Sequence, residues 1–81
     1  MQVPTEYKIP ARVLCDKELS SGAKILYAVL NAGFCEATNE ELADHFKASL
    51  WVVEQWLKEL GDHGYIVIDM PQKQRKIRLI K

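Results

Sequence analysis

The stretch from Thr38 to Tyr65, TNEELADHFKASLWVVEQWLKELGDHGY, constrains the fold more than any other part of the chain. Thr38 and Glu41 have the spacing of a capping box. The hydroxyl accepts from the amide three residues on, and the carboxylate reaches back to the threonine amide. This predicts a helix through Phe46 with Leu42, Ala43 and Phe46 inward, and with Glu40, Glu41 and Asp44 outward near its positive end. Lys47-Ala48 then makes a tight turn, and Ser49 caps a second helix. On that helix Val53, Trp56, Leu57 and Leu60 follow the i, i+3, i+4, i+7 rule and form a core stripe. At about 100° per residue, Leu50 flanks this stripe and Val52 borders it on the other side. Trp51 points nearly opposite, with Gln55 and Lys58 stacked below it and Glu54 beside it. Gly61 or Gly64 ends the helix.

The flanking segments fit one small domain around this unit. Residues 1–10, MQVPTEYKIP, hold two prolines and no helical period, which predicts an extended arm with Tyr7 and Ile9 docking on the core. Residues 11–81 make the domain. ARVLC at 11–15 suits one helical turn. Ser20 or Ser21 caps the next helix, with Gly22 tolerated in its first turn. AKILYAVLNA is apolar almost all round, broken by Lys24 and Asn31, and so predicts a buried central strut. Gly33 is free to take the left-handed cap conformation that ends it. Phe34 to Ala37 is too short for a helix and suits a brief strand pairing with a later hairpin. Tyr65 to Asp69 is β-branched and aromatic, hence a strand. Met70 to Gln74 is a loop. Arg75 to Lys81 alternates, with Ile77 and Leu79 on one parity and Lys76 and Arg78 on the other, which predicts a hairpin with one basic face. The fold class is therefore α+β, a three-helix core with a C-terminal β-hairpin.

Composition narrows the function classes. The 81 residues are 48% hydrophobic, enough for a folded core. No apolar run approaches twenty residues and no basic-then-apolar leader is present, so the chain reads as cytoplasmic, with no membrane span and no signal peptide. Cys15 and Cys35 lie in no CxxC or CxxH pattern and read as reduced thiols. Net charge is zero, which argues against non-specific coating of nucleic acid. The charge is unevenly spread. Lys73, Arg75, Lys76, Arg78 and Lys81 face only Asp62 and Asp69 in residues 61–81, while acidic residues outnumber basic ones before them. That tail fits either a phosphate-binding patch or a solvated strand edge kept from aggregating by its lysines. His45 and His63 are the only histidines, and no nucleophile elbow, phosphate-binding Gly loop or metal-spaced cluster is present. The chain reads as no enzyme, with no cofactor, no metal site and no small-molecule substrate.

Taken together, these residues resemble a winged helix-turn-helix DNA-binding domain. More narrowly, the chain is similar to the N-terminal domains of phage and plasmid replication initiators, or replisome organisers. The resemblance covers residues 9–80. Its marks are IP-x-x-VL-x-D-x-x-LS across Ile9 to Ser20, AKILYAVL at Ala23 to Leu30, TNEELADHF, VEQWLKEL at Val53 to Leu60, and GYI at Gly64 to Ile66. It implies that the helix after the turn docks in the major groove and that the wing lies on the backbone or minor groove. Carried over by position, Ser49, Leu50, Trp51, Glu54, Gln55 and Lys58 would contact DNA. Asn39 would meet a phosphate at a helix start, and Lys73, Arg75 and Lys76 would do so in the wing. Two features depart from the pattern. The turn position often held by Gly is Lys47, which implies a different turn or mild strain. Leu50, Trp51 and Val52 stand where Ser, Arg or Thr is usual. An outward Trp cannot make the bidentate bonds that read guanine or adenine, although it can contact a thymine methyl.

The expectation is sequence-specific double-stranded DNA binding, in phage or plasmid replication initiation or in transcription regulation. The alternative is a protein-interaction module on the same frame. In that case Leu50, Trp51 and Val52 would anchor a homodimer or a replication partner. A solvent-facing Trp51 would mark an unmade interface; a Trp51 folded against the wing or the arm would be simply core.

Overall fold

The computed structural model describes residues 8–69 and 76–80, with the backbone alone at Lys76. Four helices precede an antiparallel strand pair: α1 Ala11–Leu14, α2 Ser21–Val29, α3 Asn39–Phe46, α4 Leu50–Asp62, β1 Ile66–Asp69 and β2 Lys76–Leu79. The class is α+β, as the alternation of periods implies. Tyr7, Lys73, Arg75 and the loop expected at 70–74 lie outside the described residues. Ile9, the other arm residue expected to dock, does pack on the core.

Helix starts follow the side chains that cap them. Ser20 Oγ accepts from the Ala23 amide at 3.3 Å, and Ser49 Oγ from the Val52 amide at 3.2 Å. Thr38 and Glu41 form the full capping box, each bond 3.1 Å. A cap of this kind contributes about 1 kcal/mol.

α2 is the central strut. Ala23, Leu26, Tyr27, Ala28 and Val29 are all buried, and α2 packs on both α1 and α4. Leu42 and Ala43 of α3, Val53, Leu57 and Leu60 of α4, Ile66 and Ile77 complete the same cluster. The inner stripe of α4 is thus as its spacing requires, except that Trp56 is only half-buried. Its ring meets the Phe46 ring edge-on at 5.4 Å. His45 and Phe34 extend that edge-to-face row at 5.5 and 5.7 Å.

The expected strand at Phe34–Ala37 does not form. α2 instead runs on into a wider π-helical turn, Leu30–Phe34, within which Gly33 (φ 114°, ψ 11°) leaves the helical conformation. The Ala37 amide then donates back to Phe34 O at 3.1 Å. The backbone bonds a third strand would use are spent locally, and the sheet has two strands.

Gly22 is more than tolerated. A Cβ there would lie 2.1 Å from Cε2 of Trp56, so α2 and α4 approach where only hydrogen fits. Beside that contact, Glu59 accepts from the Ser20 amide and from Ser20 Oγ, both at 2.9 Å. The α2–α4 seam is therefore a glycine against an indole, closed by a carboxylate on the helix cap.

Two carboxylates make stability depend on pH. The Tyr65 hydroxyl donates to Asp16 Oδ2 at 2.6 Å and the Glu18 amide to Oδ1 at 2.9 Å. These bonds, the tyrosine's first, hold Asp16 below the usual carboxylate range, and the same contact raises Tyr65. The Thr38 amide and hydroxyl lower Glu41 likewise. Carboxyls depressed in the folded state bind protons more readily when unfolded. Their stabilisation is present above the ordinary carboxylate range and is lost as pH falls through the folded values. The urea midpoint is expected to hold down to about pH 5 and to fall by about pH 3. Glu41→Gln should show a shallower fall.

Candidate functional site

The α3–turn–α4 unit presents one helix by its outer face. Lys47 takes the left-handed conformation (φ 55°, ψ 42°). Its amide donates to Asp44 O at 3.2 Å, and the Ala48 amide donates to Ala43 O at 2.9 Å. This is the paired bonding of a Schellman turn. The far end of α4 is built the same way around Gly64 (φ 78°), with Gly64 bonded to Gly61 O at 3.1 Å and Tyr65 to Leu60 O at 2.9 Å.

Lysine thus occupies at one end of the unit the position that glycine holds at the other. A non-glycine residue there costs about 1–2 kcal/mol. The Lys47–Asp44 ion pair, 3.9 Å long with side chains 85% and 86% exposed, is too solvated to offset that. Lys47→Gly is expected to raise the unfolding free energy by about 1 kcal/mol, read from urea denaturation.

Five of the expected contact residues sit together. Leu50, Trp51, Glu54, Gln55 and Lys58 are all exposed on α4. Trp51 is 66% exposed and Leu50 42%, so neither is folded into the core, while Val52 is half-buried beside them. Trp51, Gln55 and Lys58 lie within about 60° of one another around the helix and span about 10 Å along it. Ser49 is exposed at the helix start, its hydroxyl oxygen engaged by the cap. Asn39 is half-buried at the start of α3. Glu59, which α4's charge pattern sets against Lys58, is turned toward Ser20 and leaves the outer face.

No protein-family model, curated protein or solved structure matches this chain.

The hairpin departs from the expected single basic face. Its register pairs Asp69 with Lys76 and Val67 with Arg78. Asp69 therefore shares a face with both cations, and its Oδ2 accepts from Arg78 Nε at 2.8 Å. Arg78 is occupied within the sheet. Of the wing residues carried over from the resemblance, Lys76 is placed in β2, and Lys73 and Arg75 lie outside the described residues.

A second polar cluster is structural. Arg12 donates to Ile80 O and, at 3.1 Å, to the Tyr27 hydroxyl. Its guanidinium lies 5.9 Å from the Tyr27 ring centroid and 5.2 Å from that of Tyr65. It ties the end of the hairpin to α1 and α2. A shallow cleft of about 250 Å³ beside it is lined by Pro10, Arg12, Tyr27 and Asn31. Spacing along the chain carries no sign of this cluster, because its bonds join residues as much as 68 positions apart. His63 Nδ1 lies 3.4 Å from Glu18 Oε2 on the surface. Among the described residues no group of three His, Cys, Asp or Glu is arranged to hold a metal, and no helix is long and apolar enough to cross a membrane.

Proposed function

We propose that this chain is a DNA-binding module of winged-helix type. It would bind duplex DNA with α4 in the major groove and the hairpin on the backbone, in the setting of replication initiation or transcription control. The observation that carries the reading is the presentation of α4. It follows α3 across a tight turn, buries one stripe, and leaves Leu50, Trp51, Glu54, Gln55 and Lys58 exposed in a row. A helix held by a partner helix with one solvent face is what a groove about 12 Å wide accepts. Supporting this, Gln55 can bond adenine through two atoms. Lys58, Lys73, Arg75 and Lys76 would meet phosphates.

Anisotropy of a labelled duplex, selected for binding from a random-sequence pool, at rising salt tests the reading. Four phosphate contacts predict a log–log salt slope of about −3.6. Absence of binding at low salt would defeat it.

The exposure of Trp51 and Leu50 favours a second reading, a protein-interaction surface on the same frame. Sedimentation of wild type against Trp51→Ala separates its homodimer form. A dimer lost on substitution supports it, and a monomer in both chains removes it.

A further inference from the structure

Resting on the duplex-DNA reading of α4, we propose that its outer face selects A·T base pairs through thymine methyl groups. Trp51 and Leu50 would meet the methyls, and Gln55 would pair with adenine.

The first turn of α4 carries two exposed apolar side chains, Trp51 on the outer face and Leu50 at its edge about 100° away, and Gln55 is exposed one turn below Trp51. In the major groove an A·T pair offers a thymine C5 methyl and the N7/N6 pair of adenine, whereas a G·C pair offers no methyl. An indole and an isobutyl group match the first feature, and a side-chain amide matches the second. Guanine is read best by an arginine or lysine fork. α4 has no arginine, and Lys58, its one lysine, lies two turns beyond the tip.

Charge points the same way. Leu50, Trp51 and Gln55 are uncharged and Glu54 beside them is acidic, so this part of the face suits base edges rather than phosphates; Glu54 is the one group here that would favour a G·C pair, through the cytosine amino group, and the G·C probe tests it.

The test uses three duplex probes at low salt: alternating A·T, the same duplex with deoxyuridine replacing thymidine, and alternating G·C. Uracil differs from thymine only by the methyl. The wild-type chain is expected to bind the A·T duplex most tightly and to lose about fourfold per contacted methyl on the uracil duplex. Trp51→Ala, at an exposed position that the core does not use, is expected to keep only the roughly fourfold loss that Leu50 contributes, and the double variant Leu50→Ala/Trp51→Ala to bind the thymine and uracil duplexes within twofold of each other. That loss of discrimination is a coupling a purely structural role would not produce. Equal wild-type affinity for thymine and uracil duplexes, or preference for G·C, would overturn the methyl readout while leaving DNA binding in place. No binding to any of the three probes, or to the selected duplex, would overturn both.

Discussion

Gly22→Ala is expected to destabilise the protein by about 2 kcal/mol, although it places the best helix former in a helix. The added methyl would meet Trp56 at 2.1 Å from Cε2 and 2.3 Å from Cζ2 and Nε1. The indole must turn or the helices must part: turning gives up its edge contact with Phe46, 5.4 Å between centroids, and parting lengthens the Glu59 bonds to Ser20. For a domain of this size the melting temperature should fall by roughly 10 °C. Gly61→Ala is the control. Gly61 lies within α4, and nothing lies within 4 Å of where its Cβ would be. The same substitution there should stabilise by about 0.5–1 kcal/mol. In a Trp56→Leu background, Gly22→Ala should lose most of its cost. If Gly22→Ala and Gly61→Ala behave alike, the close approach of α2 to α4 is wrong.

Arg12→Ala should cost a similar amount, about 2 kcal/mol, from a residue that is itself exposed. It removes charge-assisted bonds to Ile80 O and the Tyr27 hydroxyl, and a cation lying over two tyrosine rings. Arg12→Lys keeps the charge but not the planar fork, and should recover less than half the loss. The effect should be local as well as global. Amide hydrogen exchange in β2 is expected to quicken more than exchange in α3, because the guanidinium anchors the hairpin's end. Unchanged exchange in β2 would show that the anchor is idle.

These two positions mark the boundary of what sequence alone discloses. Caps and stripes are local: Thr38 with Glu41, Ser49 with Val52, and Val53, Leu57 and Leu60 act within a turn or two. The helices and inner face of α4 were therefore legible. The seam and the anchor are not local. Glu59 reaches Ser20 across 39 residues and Arg12 reaches Ile80 across 68. Gly22 looked like a permissive first-turn residue because its partner is on another helix. The expected strand at Phe34–Ala37 failed for the opposite reason. Gly33 allowed the preceding helix to finish in a wider turn, and that local solution prevailed over pairing at a distance.

The candidate site divides in the same manner. Which α4 residues face outward followed from the helical period, and all five proved exposed. The hairpin's charge did not follow, because parity within one strand says nothing of what register places opposite. Asp69 shares the face of Lys76 and Arg78 and holds Arg78 in the sheet. The basic tail seen in the sequence is thereby weaker, as a DNA-binding patch, than its count of cations suggests.

The central claim is that the outer face of α4 docks on duplex DNA. Amide and indole chemical-shift mapping on titration with a short duplex tests it most directly. The largest shifts are expected at Leu50, Trp51 with its indole N–H, Glu54, Gln55 and Lys58, with smaller ones along β2. Shifts confined to α1 and α2, or an α4 face unmoved at saturating DNA, would contradict it.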